Sequence, residues 1–159
     1  MAQDDNAPAM QMPSPDPALR RLDKMIGTWN LQGHTLDTED YNVSGRITFE
    51  WLPGGFFLKQ TGVINFMGMD LEFTEIIRYD PATDTFPSLV YSNVAGQPLP
   101  YQYDVRDNDV TIRTEFGGGA TYRGKLSEDG NSMSGGWRPD EGTAGPGNVA
   151  YDLTGTRAS

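Results

Sequence analysis

Glu75 breaks the pattern of its surroundings. Leu71, Phe73, Ile77 and Tyr79 alternate with Asp70, Glu72, Thr74 and Arg78, and Glu75 falls in phase with the apolar set rather than the polar one. A carboxylate on a dry face must find hydrogen-bond donors or stay protonated, and desolvation raises its pKa toward the range useful for proton transfer. Tyr101 and Tyr103 share a face with Leu99 and Val105, so their phenols are the natural companions of that carboxylate. Such a pair can orient a carbonyl or phenolic ligand or shuttle a proton, which makes Glu75, Tyr101 and Tyr103 the candidate acid–base group. The plainer alternatives are a Glu75 that ties strands together through an inward Arg or Tyr, a bulge that turns it outward, and tyrosines that only fill a core.

A second set of residues suits binding rather than reaction. Phe49, Trp51, Phe73 and Trp137 would form aromatic walls for a flat ligand, and Tyr122 and Tyr151 lie in phase with Leu126 and Leu153. Gln60 lies in phase with Phe56, Leu58, Gly62 and Ile64, although Phe57 and Val63 blur which face is inner; its amide would be a specificity contact.

Other chemistries lack their residues. The chain has no cysteine and one histidine, His34, in phase with Gln32 and Leu36 and opposite Trp29 and Leu31, so it belongs on an outer face or rim. Asp37, Glu39 and Asp40 lack the spacing of a calcium loop, and neither a metal nor a cofactor is expected. Gly117-Gly118-Gly119 opens a strand rather than a helix, has no following Lys in phosphate-loop register, and reads as a hairpin turn. Asn42-Val43-Ser44 matches a glycosylation acceptor only by chance, and Ser88 and Ser92 have no histidine placed for a triad.

These residues need elements to position them. Nineteen glycines and eleven prolines, with abundant Thr, Tyr, Phe and Val, describe short strands joined by tight turns. Within 159 residues that is one domain. A net charge of −10 repels nucleic acid and anionic lipid, no apolar run is long enough to span a membrane, and Met1 to Asp5 do not open a signal peptide, so a cytoplasmic protein is expected. Met1 to Asp16 hold Pro8, Pro13 and Pro15 and no apolar period, which reads as a disordered arm, with one domain over residues 17–159. Leu19, Leu22, Met25 and Ile26 predict a short amphipathic helix over Pro17 to Ile26, with Asp16 as N-cap, Pro17 in the first turn and Gly27 as terminator. It would cover one end of the remaining structure.

Beyond Gly27 the chain has period two throughout. Nine or ten strands are expected, starting near Thr28, Val43, Phe56, Asp70, Phe86, Leu99, Asp109, Ala120, Ser132 and Asn148. So many consecutive hairpins would expose edges in an open sheet, so the expected fold is all-β: a closed antiparallel up-and-down barrel with a short N-terminal capping helix. A two-sheet sandwich is the alternative.

Gly27-Thr28-Trp29 after a short helix resembles the opening of lipocalin-like (calycin) domains, in which the Trp closes one end of the barrel. Together with Glu50-Trp51-Leu52-Pro53-Gly54-Gly55-Phe56-Phe57-Leu58, Arg78-Tyr79-Asp80-Pro81, Gly135-Gly136-Trp137 and the closing Tyr151-Asp152-Leu153-Thr154-Gly155-Thr156-Arg157, it is similar to an uncharacterised bacterial family of such domains over residues 17–157. The resemblance implies the barrel, and no reaction or catalytic residues. The opening also resembles the nitrobindin branch, which binds haem through a histidine late in the chain, whereas His34 is early.

Three functions are compatible with these residues. The first is a barrel that binds a small apolar or aromatic metabolite inside. The second is a cofactor-free enzyme of isomerase, cyclase or lyase type, in which Glu75 and a tyrosine act on that metabolite. The third is a filled barrel that makes a homodimer through strand edges or Met67-Gly68-Met69, a reading that an aromatic-lined cavity of roughly 300 Å³ would exclude.

Overall fold

The computed structural model describes residues 11–158. The arm expected over Met1 to Asp16 lies outside the described residues as far as Met10, and residues 11–16 form no regular element.

Ten strands come after the N-terminal helix: β1 (Gly27–Thr35), β2 (Val43–Trp51), β3 (Leu58–Phe66), β4 (Met69–Ile77), β5 (Phe86–Ser92), β6 (Leu99–Arg106), β7 (Asp109–Thr114), β8 (Ala120–Leu126), β9 (Ser132–Pro139) and β10 (Tyr151–Arg157). Each pairs antiparallel with its neighbours in sequence, and β1 pairs with β10, Trp29 opposite Arg157 and Thr35 opposite Tyr151, to close the barrel. The period-two pattern sets the faces. In β2, Val43, Ile47 and Phe49 are buried while Ser44, Arg46 and Glu50 face solvent. In β3, Leu58 and Gln60 are buried and Val63 is exposed, so Gln60 is on the inner face. Among the described residues no helix is long and apolar enough to cross a membrane.

The helix differs from expectation in kind. Pro17–Met25 is a 3₁₀ helix, with the Asp16 side chain accepting from the Ala18 N–H. Leu19, Leu22 and Met25, its buried residues, are spaced by three, which aligns them on one face at three residues per turn. Ile26, whose spacing pointed to the wider period, falls outside as the C-cap. Gly27 then adopts φ 120°, a conformation that L side chains rarely adopt, and turns the chain into β1.

Because all connections are hairpins, the turns segregate. The helix and the turns at 52–57, 78–85, 107–108 and 127–131 gather at one end, the closed end; the turns at 36–42, 67–68, 93–98, 115–119 and 140–150 form the other. Leu19, Leu22, Met25 and fully buried Trp29 pack into the core beneath the closed end. Trp29 donates to the Met25 carbonyl at 2.9 Å, and the Arg157 guanidinium lies 4.2 Å from its ring centroid. Arg157 also donates to the carbonyls of Ile26, Lys24 and Gly130, locking the end of β10 to the end of the helix. Asp84 gathers three donors there: Arg21 of the helix, Tyr79, and Arg106 of β6.

Candidate functional site

β4 presents Glu75 to the interior as the alternation requires, and only 2% of the residue is exposed. Register then chooses its partners. Gln60 on β3 stands directly opposite Glu75, and Ser88 on β5 is its diagonal neighbour, being paired with Ile77. The Ser88 hydroxyl donates to Glu75 Oε2 at 2.6 Å, and the Tyr103 phenol, two strands away on β6, donates to Oε1 at 2.7 Å. Burial raises the Glu75 carboxyl from 4.5 to about 7, and these two hydrogen bonds oppose only part of that rise. Glu75 is therefore poised to hold or release a proton near neutrality.

The phenols around it move the other way from reactivity. Burial, then the Glu75 charge, raises Tyr103 and Tyr101; burial alone pushes Tyr122 up to about 12; burial and the neighbouring phenols raise Tyr151. All four remain neutral donors through the physiological range, suited to orienting a ligand.

The interior holds a cavity of about 250 Å³. Of the residues read from sequence, Phe49, Gln60, Phe73, Glu75, Tyr101, Tyr103, Tyr122, Trp137 and Tyr151 line it, and the fold brings them together from seven strands. Trp137 meets Tyr101 edge to face, with centroids 6.0 Å apart, and Tyr122 at 5.7 Å and 51°. The Tyr122 ring occupies space that Gly124 and Gly135 leave open: a Cβ on Gly124 would stand 2.3 Å from its hydroxyl and one on Gly135 2.8 Å from its Cζ. Val94 and Phe116, from turns of the open end, mark where the cavity reaches that rim.

Trp51 is the exception. It closes no wall of the cavity but sits at the closed end, its indole donating to Asp23 at 3.0 Å beneath the Arg20 guanidinium. The physical reason is height: Trp51 ends β2 just before the turn at 52–57, so its inward phase meets the helix instead of the ligand space. Ser88, set aside from sequence as a triad serine for want of a histidine, is instead a donor to Glu75, a bond that the sequence does not reveal. Its phase with Phe86 and Val90 does mark it as inward, but its partner depends on register. His34 lies outside the cavity, where its Nδ1 contacts the Thr35 carbonyl. The expected hairpin at Gly117-Gly118-Gly119 does join β7 to β8, as a single 3₁₀ turn at Phe116–Gly118.

Larger depressions lie elsewhere, including one of about 450 Å³ on the outer wall between Arg46, Thr61, Glu72 and Tyr91. Its lining comes mostly from the solvent-facing sides of β2 to β5, with Gly62 and Phe73 from the inner phase, and among the described residues no buried titratable group lines it. The interior cavity is the candidate site because that is where buried polar groups meet an apolar wall.

A family model described as protein of unknown function, DUF1579, matches residues 14–118. The chain belongs to this family. The matched stretch contains the helix, β1 to β7, and Glu75, Ser88, Tyr101 and Tyr103; the walls from Tyr122, Trp137 and Tyr151 lie beyond it. The structure is similar to the crystal structure of Rv2717c from M. tuberculosis, with a TM-score of 0.56 and 15% sequence identity over 92% of this chain and 100% of that one. At that identity the likeness concerns the fold alone. No curated protein matches.

Proposed function

We propose that this barrel binds a small apolar or aromatic molecule inside, in the manner of lipocalin-like domains. The observation that carries the reading is the convergence of a buried carboxylate, neutral phenols and an amide on one apolar cavity of about 250 Å³ that reaches the open end. That volume falls a little short of the roughly 300 Å³ that would by itself exclude a filled barrel. It nonetheless exceeds the ~150 Å³ that accommodates benzene in an engineered cavity, so it suits a ligand of about ten heavy atoms. Native mass spectrometry of the protein purified from its own host tests the reading. The expected result is a mass increment that disappears on denaturation; a bare chain that also takes up no aromatic probe would exclude it.

The carboxyl at about 7 supports a second reading, a cofactor-free isomerase, cyclase or lyase in which Glu75 moves a proton while Tyr101 or Tyr103 polarises the substrate. Glu75→Gln separates the two: turnover lost with affinity kept supports the enzyme, and no turnover of any bound compound leaves the binder.

A further inference from the structure

Charge distinguishes the ligands this cavity would accept. Among the described residues that line it, Glu75 is the one acid, and no Lys, Arg or His is present. A ligand carboxylate or phosphate would enter without a cationic partner and face Glu75, so anionic amphiphiles such as fatty acids are disfavoured twice over. A cation meets the opposite conditions. Glu75 has one strong donor on each oxygen, leaving lone pairs on both for a further positive group. Trp137, edge to face with Tyr101 and tilted by 51° to Tyr122, joins them in an aromatic wall of the kind that holds ammonium groups.

We infer that the ligand class is an apolar, preferably aromatic, amine or quaternary ammonium, its positive group paired with Glu75 among the tyrosines. The inference rests on the binding reading and narrows it. Among the described residues the titratable groups that share the cavity with Glu75 are phenols: Tyr103 bonded to it, Tyr101 beside it on β6, and Tyr122 and Tyr151 on the cavity wall; β3 presents the Gln60 amide and β5 the Ser88 hydroxyl. Burial raises all four phenols further above their ordinary range, so proton release from Glu75 governs the pH response.

Three probes of similar size test it by calorimetry: benzyltrimethylammonium, whose charge is independent of pH, neutral benzyl alcohol, and phenylacetate. At pH 8 the ammonium is expected to bind at least tenfold more tightly than phenylacetate. Because ionised Glu75 is the binding partner, its affinity should fall about tenfold between pH 8 and pH 6 while that of benzyl alcohol stays level. In Glu75→Gln the ammonium is expected to lose both its advantage and its pH dependence. Binding of benzyl alcohol with no preference for the ammonium, or ammonium affinity that is flat with pH in the native chain, overturns the inference and leaves the binding reading standing. Failure of all three probes overturns the inference, and together with a bare chain in native mass spectrometry it overturns the binding reading as well.

Discussion

The two ends of the barrel are built from the same hairpins and end up as opposites. At the closed end, apolar residues of the helix pack under Trp29, and charged side chains fasten the rim: Arg157 to three carbonyls, Asp84 to Arg21, Tyr79 and Arg106, and Lys24 to the Asp107 carbonyl at 2.7 Å. At the open end, Leu36, Tyr41, Met67, Val94 and Phe116 are exposed on the turns, and among the described residues no helix covers them. The difference teaches where stability and access reside. One end contributes cooperative structure, and at the other the cavity that contains Glu75 is lined by exposed residues of the turns, Val94 and Phe116.

The largest break in that contrast is Trp29→Ala, which removes the floor itself. It should cost about 3–5 kcal/mol in chemical denaturation, as truncation of a fully buried aromatic does. Next comes Glu75, two residues from the closed end of β4. Its folded-state carboxyl, at about 7, lies above its ordinary 4.5, so the native chain holds the proton more tightly than the unfolded one. The stability tied to that proton is fully present below about pH 4.5 and is lost as pH rises through about 7. Glu75→Gln should therefore stabilise the protein by up to roughly 3 kcal/mol at pH 8 and by less than about 0.5 kcal/mol at pH 4, measured as a pH series of denaturation midpoints. A difference independent of pH would contradict it.

Arg157→Met sharpens the contrast by loosening the closed end while keeping its apolar stem. Loss of its hydrogen bonds and of the cation over Trp29 should cost about 1–2 kcal/mol and raise amide exchange in the helix before the strands. The smallest effect belongs to the open end. Phe116→Ser should change stability by less than about 0.5 kcal/mol, because the side chain is exposed, yet alter the rate at which a probe enters. A large loss of stability there would erase the distinction between the ends.

Much of the fold is legible before folding. The strand starts near Val43, Phe86, Leu99, Asp109, Ala120 and Ser132 stand where the structure has them, because turn residues and alternation are local signals. Glu75 is visible as a carboxylate in an apolar phase for the same reason. The helix type is less legible, since Leu19, Leu22 and Met25 fit both a period of three and one of 3.6, and only Ile26 separates them. Trp51 and Trp137 look equivalent in sequence and are separated by the fold, one under the helix and one against Tyr101 and Tyr122.

By itself the sequence determined which residues are strands and which side of each strand is dry, since a side chain's face derives from a period of two along the backbone. Tertiary structure alone decided height and company. The pairing of β4 with β5 and of β5 with β6 brings Ser88 and Tyr103 to Glu75, and the pairing of β1 with β10 turns a row of hairpins into an enclosure. Alternation records inside and outside but carries no coordinate along the barrel axis. That coordinate comes from the register of every strand against the next, so the site exists only once the ring has closed.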